Sequence, residues 1–129
     1  MALQPGLTYT STLTVTENHT AKSVGSGDLD VLATPIMTAL MENAAMLAVA
    51  EQLQEGDTTV GGQIESSHLK PSPIGSNVTA TAILTKVEGR KLFFDITARQ
   101  GENIIGSGTH LRYIVNREKV QIKIMSDIF

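Results

Sequence analysis

Six residues of this chain combine a type and a spacing that could do chemistry: Thr34, Glu42, Gly61, His68, His110 and Arg112. Glu42 stands in the run Leu40-Met41-Glu42-Asn43-Ala44-Ala45, where apolar neighbours make its carboxylate a candidate for partial burial. Such a carboxylate can activate water or attack a carbonyl carbon. The alternative is a glutamate facing solvent or satisfied by Asn43. Thr34 directly precedes Pro35, the pattern of a helix N-cap followed by a proline in the first turn. That structural role is sufficient for it, although a hydroxyl there also lies at the positive end of the helix dipole, where a developing oxyanion is stabilised. His68 closes the stretch Glu65-Ser66-Ser67-His68 ahead of a proline-containing turn. A histidine so placed is commonly a surface residue, yet its intrinsic pKa suits proton transfer near neutrality. His110 and Arg112 share one face of a strand by period-two alternation. The arginine there binds a phosphate of a ligand, closes an ion pair, or decorates a solvated face. Gly61 and Gly62 mark either a bulge or a close backbone approach that offers an N–H to a substrate oxygen.

The elements that would position these residues follow from the patterning. Leu7 to Thr16 alternates polar and apolar side chains as a strand with one wet face. Glu17 to Asp30 reads as a loop, able to act as a lid, around Gly25, Ser26 and Gly27. A long helix is expected from Thr34 as cap through Ile36 to Leu53, apolar over more than a narrow stripe and ended by Gly56. Four further strands are expected at Thr59–Leu69, Asn77–Val87, Lys91–Arg99 and Ile104–Val115, joined by short turns. Lys119 to Met125 extends the sheet edge or lies along a partner. Strand, helix, then four consecutive strands describe an α+β fold in which an antiparallel sheet of about five strands wraps one long helix.

Composition bounds the function. A chain of 129 residues, 41% hydrophobic, is expected to form one domain over residues 1–129. Ten basic against thirteen acidic residues, a net charge of −3, argue against nucleic acid as a partner. Two tyrosines and three phenylalanines make a poor stacking platform. The lack of cysteine removes disulfides and thiolate chemistry and fits a cytoplasmic setting. Met1 to Thr16 has no signal-peptide pattern, and no stretch reaches the roughly 18 to 20 apolar residues of a membrane span. The histidines and carboxylates follow no metal-binding spacing, so no metal is expected. Gly106 and Gly108 lie between strand-like residues, which does not support a dinucleotide site.

In order and spacing, Ala33-Thr34, Leu40-Met41-Glu42, His68, Pro71 to Gly75, Val87-Glu88-Gly89-Arg90 and Gly106-Ser107-Gly108-Thr109-His110 resemble the fluoroacetyl-CoA thioesterase-like branch of the hot-dog-fold proteins. The resemblance runs from about Ala33 to Val115. It implies the hot-dog fold, hydrolysis of a small acyl-CoA with no cofactor beyond the CoA of the substrate, and Thr34, Glu42 and His68 as catalytic residues. It also implies a homodimer joined edge to edge, with the thioester near the interface; Gly61 and Arg112 stand as substrate-binding candidates on the residue reading above. Two other readings stay open on the same fold. A 3-hydroxyacyl thioester dehydratase pairs a helix carboxylate with a histidine placed before the helix, where only His19 is available. A non-catalytic acyl-CoA-binding module would keep the fold without turnover.

Overall fold

The computed structural model describes residues 3–128; Met1, Ala2 and Phe129, which the expected domain span includes, lie outside the described residues. Five antiparallel strands form one sheet: β1 (Thr8–Thr14), β2 (Asp57–His68), β3 (Asn77–Glu88), β4 (Lys91–Gln100) and β5 (Asn103–Asn116), in the order β1-β3-β4-β5-β2. The long helix α2 (Thr34–Val49) lies on the concave side, so the expected α+β hot-dog arrangement is the one observed.

Alternation decides the inward face. Val78, Ala80, Ala82 and Leu84 of β3 and Leu92, Phe94, Ile96 and Ala98 of β4 are buried against Met37, Met41, Ala44, Ala45 and Ala48 of α2. Alanines on both surfaces let helix and sheet approach closely. The methionines fill the remaining space, each fully buried apolar side chain being worth about 1.5–3 kcal/mol.

Three expectations need correction. Glu17 to Asp30 is not simply a loop, because it holds a 3₁₀ turn (Glu17–His19) and the short helix α1 (Ala21–Val24). Thr20 Oγ1 accepts the Ser23 N–H at 3.1 Å, and Gly25 closes α1 at φ +85°. The polar and glycine residues that read as loop are the caps of helices too short to show an apolar period. Helix α2 ends at Val49 rather than Leu53, giving way to a 3₁₀ turn over Ala50–Gln52. Lys119 to Met125 belongs to a third helix, α3 (Arg117–Ile128), which starts where β5 stops. The run Val120-Gln121-Ile122-Lys123-Ile124 mimics a strand by alternating apolar and polar residues. The Asn116 side chain nevertheless accepts the Lys119 N–H at 3.0 Å and opens a helix.

Two glycines govern how α2 meets the sheet. Gly106 pairs with His68, and a Cβ there would stand 2.7 Å from Met37 Sδ and 2.7 Å from the Ser67 carbonyl. Its bare backbone lets the first turn of α2 settle at the level of His68. Gly61 pairs with Arg112 at the other end of β2, and a Cβ there would stand 2.9 Å from Glu42 Oε2. A bulge between Gly61 and Gln63 follows immediately, as a paired glycine inside a strand suggests.

Candidate active site

Thr34 was expected as the N-cap of α2, but Ala33 holds that position and Thr34 is the first helical residue. The Ala33 carbonyl accepts the N–H groups of Ile36 and Met37 at 3.1 and 3.0 Å, and Pro35 has no N–H. The helix end therefore supplies a dipole more than an array of free donors. The Thr34 hydroxyl is released from capping, and its Oγ1 lies 2.8 Å from His68 Nδ1.

His68 ends β2 half-buried, and its Nε2 is buried without a hydrogen-bond partner among the described residues. Burial lowers its pKa below 6.5, with a backbone contact from Lys70 acting in the opposite direction. A neutral imidazole that accepts the Thr34 hydroxyl proton at Nδ1 must carry its own proton on Nε2. The pair borders a cleft of about 260 Å³ whose walls include Ala21, Ser26, Val31, Leu32 and Lys70. The segment read as a possible lid is thus one wall of this cleft.

Glu42 does not join that pair within the chain. Eight residues of helix separate it from Thr34, about 12 Å along the axis. It is half-buried and shares the space over Gly61 with two other groups: the position of a Gly61 Cβ lies 2.9 Å from Glu42 Oε2, 3.5 Å from His110 Cε1 and 3.6 Å from Arg112 Nη1. Arg112 is no solvated residue, being only 6% exposed. Its Nε–H donates to Thr59 Oγ1 at 2.8 Å and its Nη2–H to the Thr59 carbonyl at 3.0 Å. Nη1 lies 3.2 Å from His110 Nε2. Burial lowers the pKa of both Arg112 and His110, and the Glu42 charge opposes the shift in each.

The six sequence candidates thus fall into two groups, Thr34 with His68 at the N-terminal end of α2, and Glu42 with Gly61, His110 and Arg112 about two turns further on, at its middle. Sequence reasoning missed Thr59, whose hydroxyl and carbonyl both hold Arg112. Its position two residues before Gly61 on β2, across from the Arg112 region of β5, is a signal visible only once the strand register is known. His19 sits in a capping turn, its Nδ1 accepting the Thr16 N–H at 2.9 Å. Among the described residues no group of three or more His, Asp or Glu side chains is arranged to hold a metal ion, and no helix is long and apolar enough to cross a membrane.

Comparison with known proteins gives the same chemistry. Residues 15–118 match the family described as fluoroacetyl-CoA-specific thioesterase, FlK. The chain belongs to the FlK family. A fluoroacetyl-CoA thioesterase from Streptantibioticus cattleyicolor is 41% identical over 95 residues, 74% of this chain and 68% of the relative. A crystal structure of the fluoroacetyl-CoA thioesterase FlK superposes with a TM-score of 0.90 at 32% identity, over 98% of each chain. A hot-dog-like protein from Thermanaerovibrio acidaminovorans shares the fold with a TM-score of 0.89 at 20% identity, over 98% of this chain and 94% of its own. This FlK-family chain is accordingly an acyl-CoA thioesterase, a thioester hydrolase on a hot-dog fold.

Proposed function

We propose that the chain, as a single domain, hydrolyses small acyl-CoA thioesters in the cytoplasm as a homodimer. Each active site would take Thr34 and His68 from one protomer and Glu42, Gly61 and Arg112 from the other. The observation that carries this reading is the division of the polar residues between the two ends of β2. That strand is an edge of the sheet, and an edge of twelve residues is a ready surface for pairing. A two-fold antiparallel pairing centred midway between Gly61 and His68 would set Gly61 of one protomer against the partner subunit's His68. The two half-sites would then meet twice.

In that arrangement the thioester carbonyl lies between the halves. Arg112 has five N–H donors, of which three are committed to Thr59 and His110. The remaining two, with the Gly61 N–H, can stabilise the negative charge that develops on the carbonyl oxygen. Glu42 attacks the carbonyl carbon or takes a proton from a water that does. The C–S bond breaks, and the Thr34–His68 pair orients the thioester and carries a proton to the departing CoA sulfur. Water and thioester become free acid and CoA thiol, and nothing in this scheme calls for a cofactor.

The acyl group is expected to be small and not stringently fluorinated. No aromatic residue occurs between Glu17 and Leu32, and the cleft wall there is built of Ala21, Ser26, Val31 and Leu32. Release of free CoA from acetyl-, fluoroacetyl- and longer acyl-CoAs tests this. Turnover of the short thioesters with little preference for fluorine is the expected result, and no CoA release from any thioester would contradict the proposal.

A further inference from the structure

His110 takes no chemical step in the scheme above, yet it is 4% exposed and both of its ring nitrogens are engaged. Nδ1 lies 2.7 Å from the Gln63 carbonyl, a pure acceptor, so Nδ1 must carry the proton. Nε2 lies 3.2 Å from Arg112 Nη1, a pure donor, so Nε2 must present its lone pair. The two contacts fix a neutral imidazole in one tautomer. The ring is further held beside Phe94, with centroids 6.1 Å apart.

Arg112 is gripped on three sides as a result. Thr59 holds Nε and Nη2, and His110 holds Nη1, the nitrogen that approaches the space shared by Gly61 and Glu42. Without the lone pair on His110, Nη1 would keep no anchor on that side, and the tilt of the guanidinium would be set by the Thr59 contacts alone.

We infer that His110 is a positioning residue for hydrolysis: its Nε2 lone pair fixes Arg112 Nη1, and through it the guanidinium edge that faces Glu42 and the reacting carbonyl. The inference rests on the reading that the group around Glu42 carries thioester hydrolysis, and it assigns a purpose to the histidine of the Gly108-Thr109-His110 segment distinct from proton transfer. A charged His110 would turn two donors towards each other and break the contact, so the device works only with a neutral ring.

Two conservative variants separate the two nitrogens. His110→Asn places an amide where Nδ1 was and keeps a donor for Gln63, but has nothing at the Nε2 position. His110→Gln reaches the Nε2 position and can present its oxygen to Arg112. The expected result is a fall in kcat of about 10- to 100-fold for His110→Asn with KM little changed, and substantial rescue in His110→Gln. In an Arg112→Met background, His110→Asn should add almost no further loss, because its effect runs through the arginine. Equal activity of the Asn and Gln variants, or a loss that persists undiminished without Arg112, would overturn the inference. Side-chain ¹⁵N spectra of histidine-labelled protein give a readout independent of turnover. They should show His110 neutral at pH 7 and protonated on Nδ1, and the opposite tautomer or an imidazolium would overturn the inference even if wild-type protein released no CoA. Active wild-type protein with no separation between variants would defeat the positioning role alone, and inactive wild-type protein with the expected spectra would defeat the hydrolytic reading instead.

Discussion

The N-terminus and the middle of α2 solve opposite problems with the same device. At the N-terminal end a hydroxyl and an imidazole meet beside an open cleft, held by a single hydrogen bond of 2.8 Å between Thr34 and His68. At the middle a carboxylate stands next to a buried arginine that is braced by Thr59 and His110. In each case a glycine of the sheet makes the room, Gly106 under Met37 and Gly61 under Glu42. The difference is in what holds the groups. The exposed pair depends on one flexible contact, whereas the buried group is fixed from several sides, as a charge in a half-dry site must be to stay useful.

The largest expected effect comes from removing the carboxylate. Glu42→Gln keeps the size of the side chain and should lower CoA release about 1,000-fold while leaving the thermal transition nearly unchanged. Unaltered turnover would remove the Glu42 group from the chemistry altogether.

Adding a methyl group at each glycine separates the two places next. In Gly61→Ala the new Cβ meets the tip of a movable side chain, Glu42 Oε2 at 2.9 Å, so the expected outcome is about 100-fold slower turnover in a folded protein. In Gly106→Ala it meets Met37 Sδ and the Ser67 backbone, both at 2.7 Å, and strand and helix must separate. Overpacking of that kind costs about 1–3 kcal/mol, readable by denaturant titration. Equal stabilities for the two variants would dissolve the distinction.

The smallest effects belong to Thr34. Thr34→Ser should keep most activity and Thr34→Ala lose about 10-fold or more, since only the hydroxyl reaches His68. Neither should cost more than about 1 kcal/mol of stability, because Thr34 does not cap the helix. Burial holds the His68 pKa below 6.5, so the neutral base survives into mildly acidic solution and activity falls only as pH drops through that lowered value. The unfolded chain binds this proton more tightly than the folded one. The same group therefore destabilises the fold as pH falls below 6.5, as His110 does too, and His68→Gln should reduce the acid loss of stability without abolishing it.

Much of this was legible in the sequence. Strand alternation gave five strands within two residues of their ends, and proline beside threonine gave the start of α2 to within a residue. What failed was local: short capped turns without an apolar period, and a terminal helix whose Val120, Ile122 and Ile124 alternate as a strand would. The candidate residues were identifiable by type, but their grouping was not. Thr34, Glu42 and His68 read as one spaced set along the chain, while helix rise sets Glu42 apart from the other two. The burial of Arg112 was equally invisible, because it depends on Thr59, a residue far away in sequence whose role appears only through the register of β2 with β5.

The central claim is that each active site draws on two protomers. Mixing Glu42→Ala and His68→Ala proteins, each inactive alone, and allowing subunits to exchange tests it directly. A mixed dimer would contain one site with both halves intact and one with both halves disabled. Statistical exchange of equal amounts should therefore restore about a quarter of wild-type CoA release. If each site is built within one chain, no mixing ratio restores activity, and the account of two half-sites is wrong.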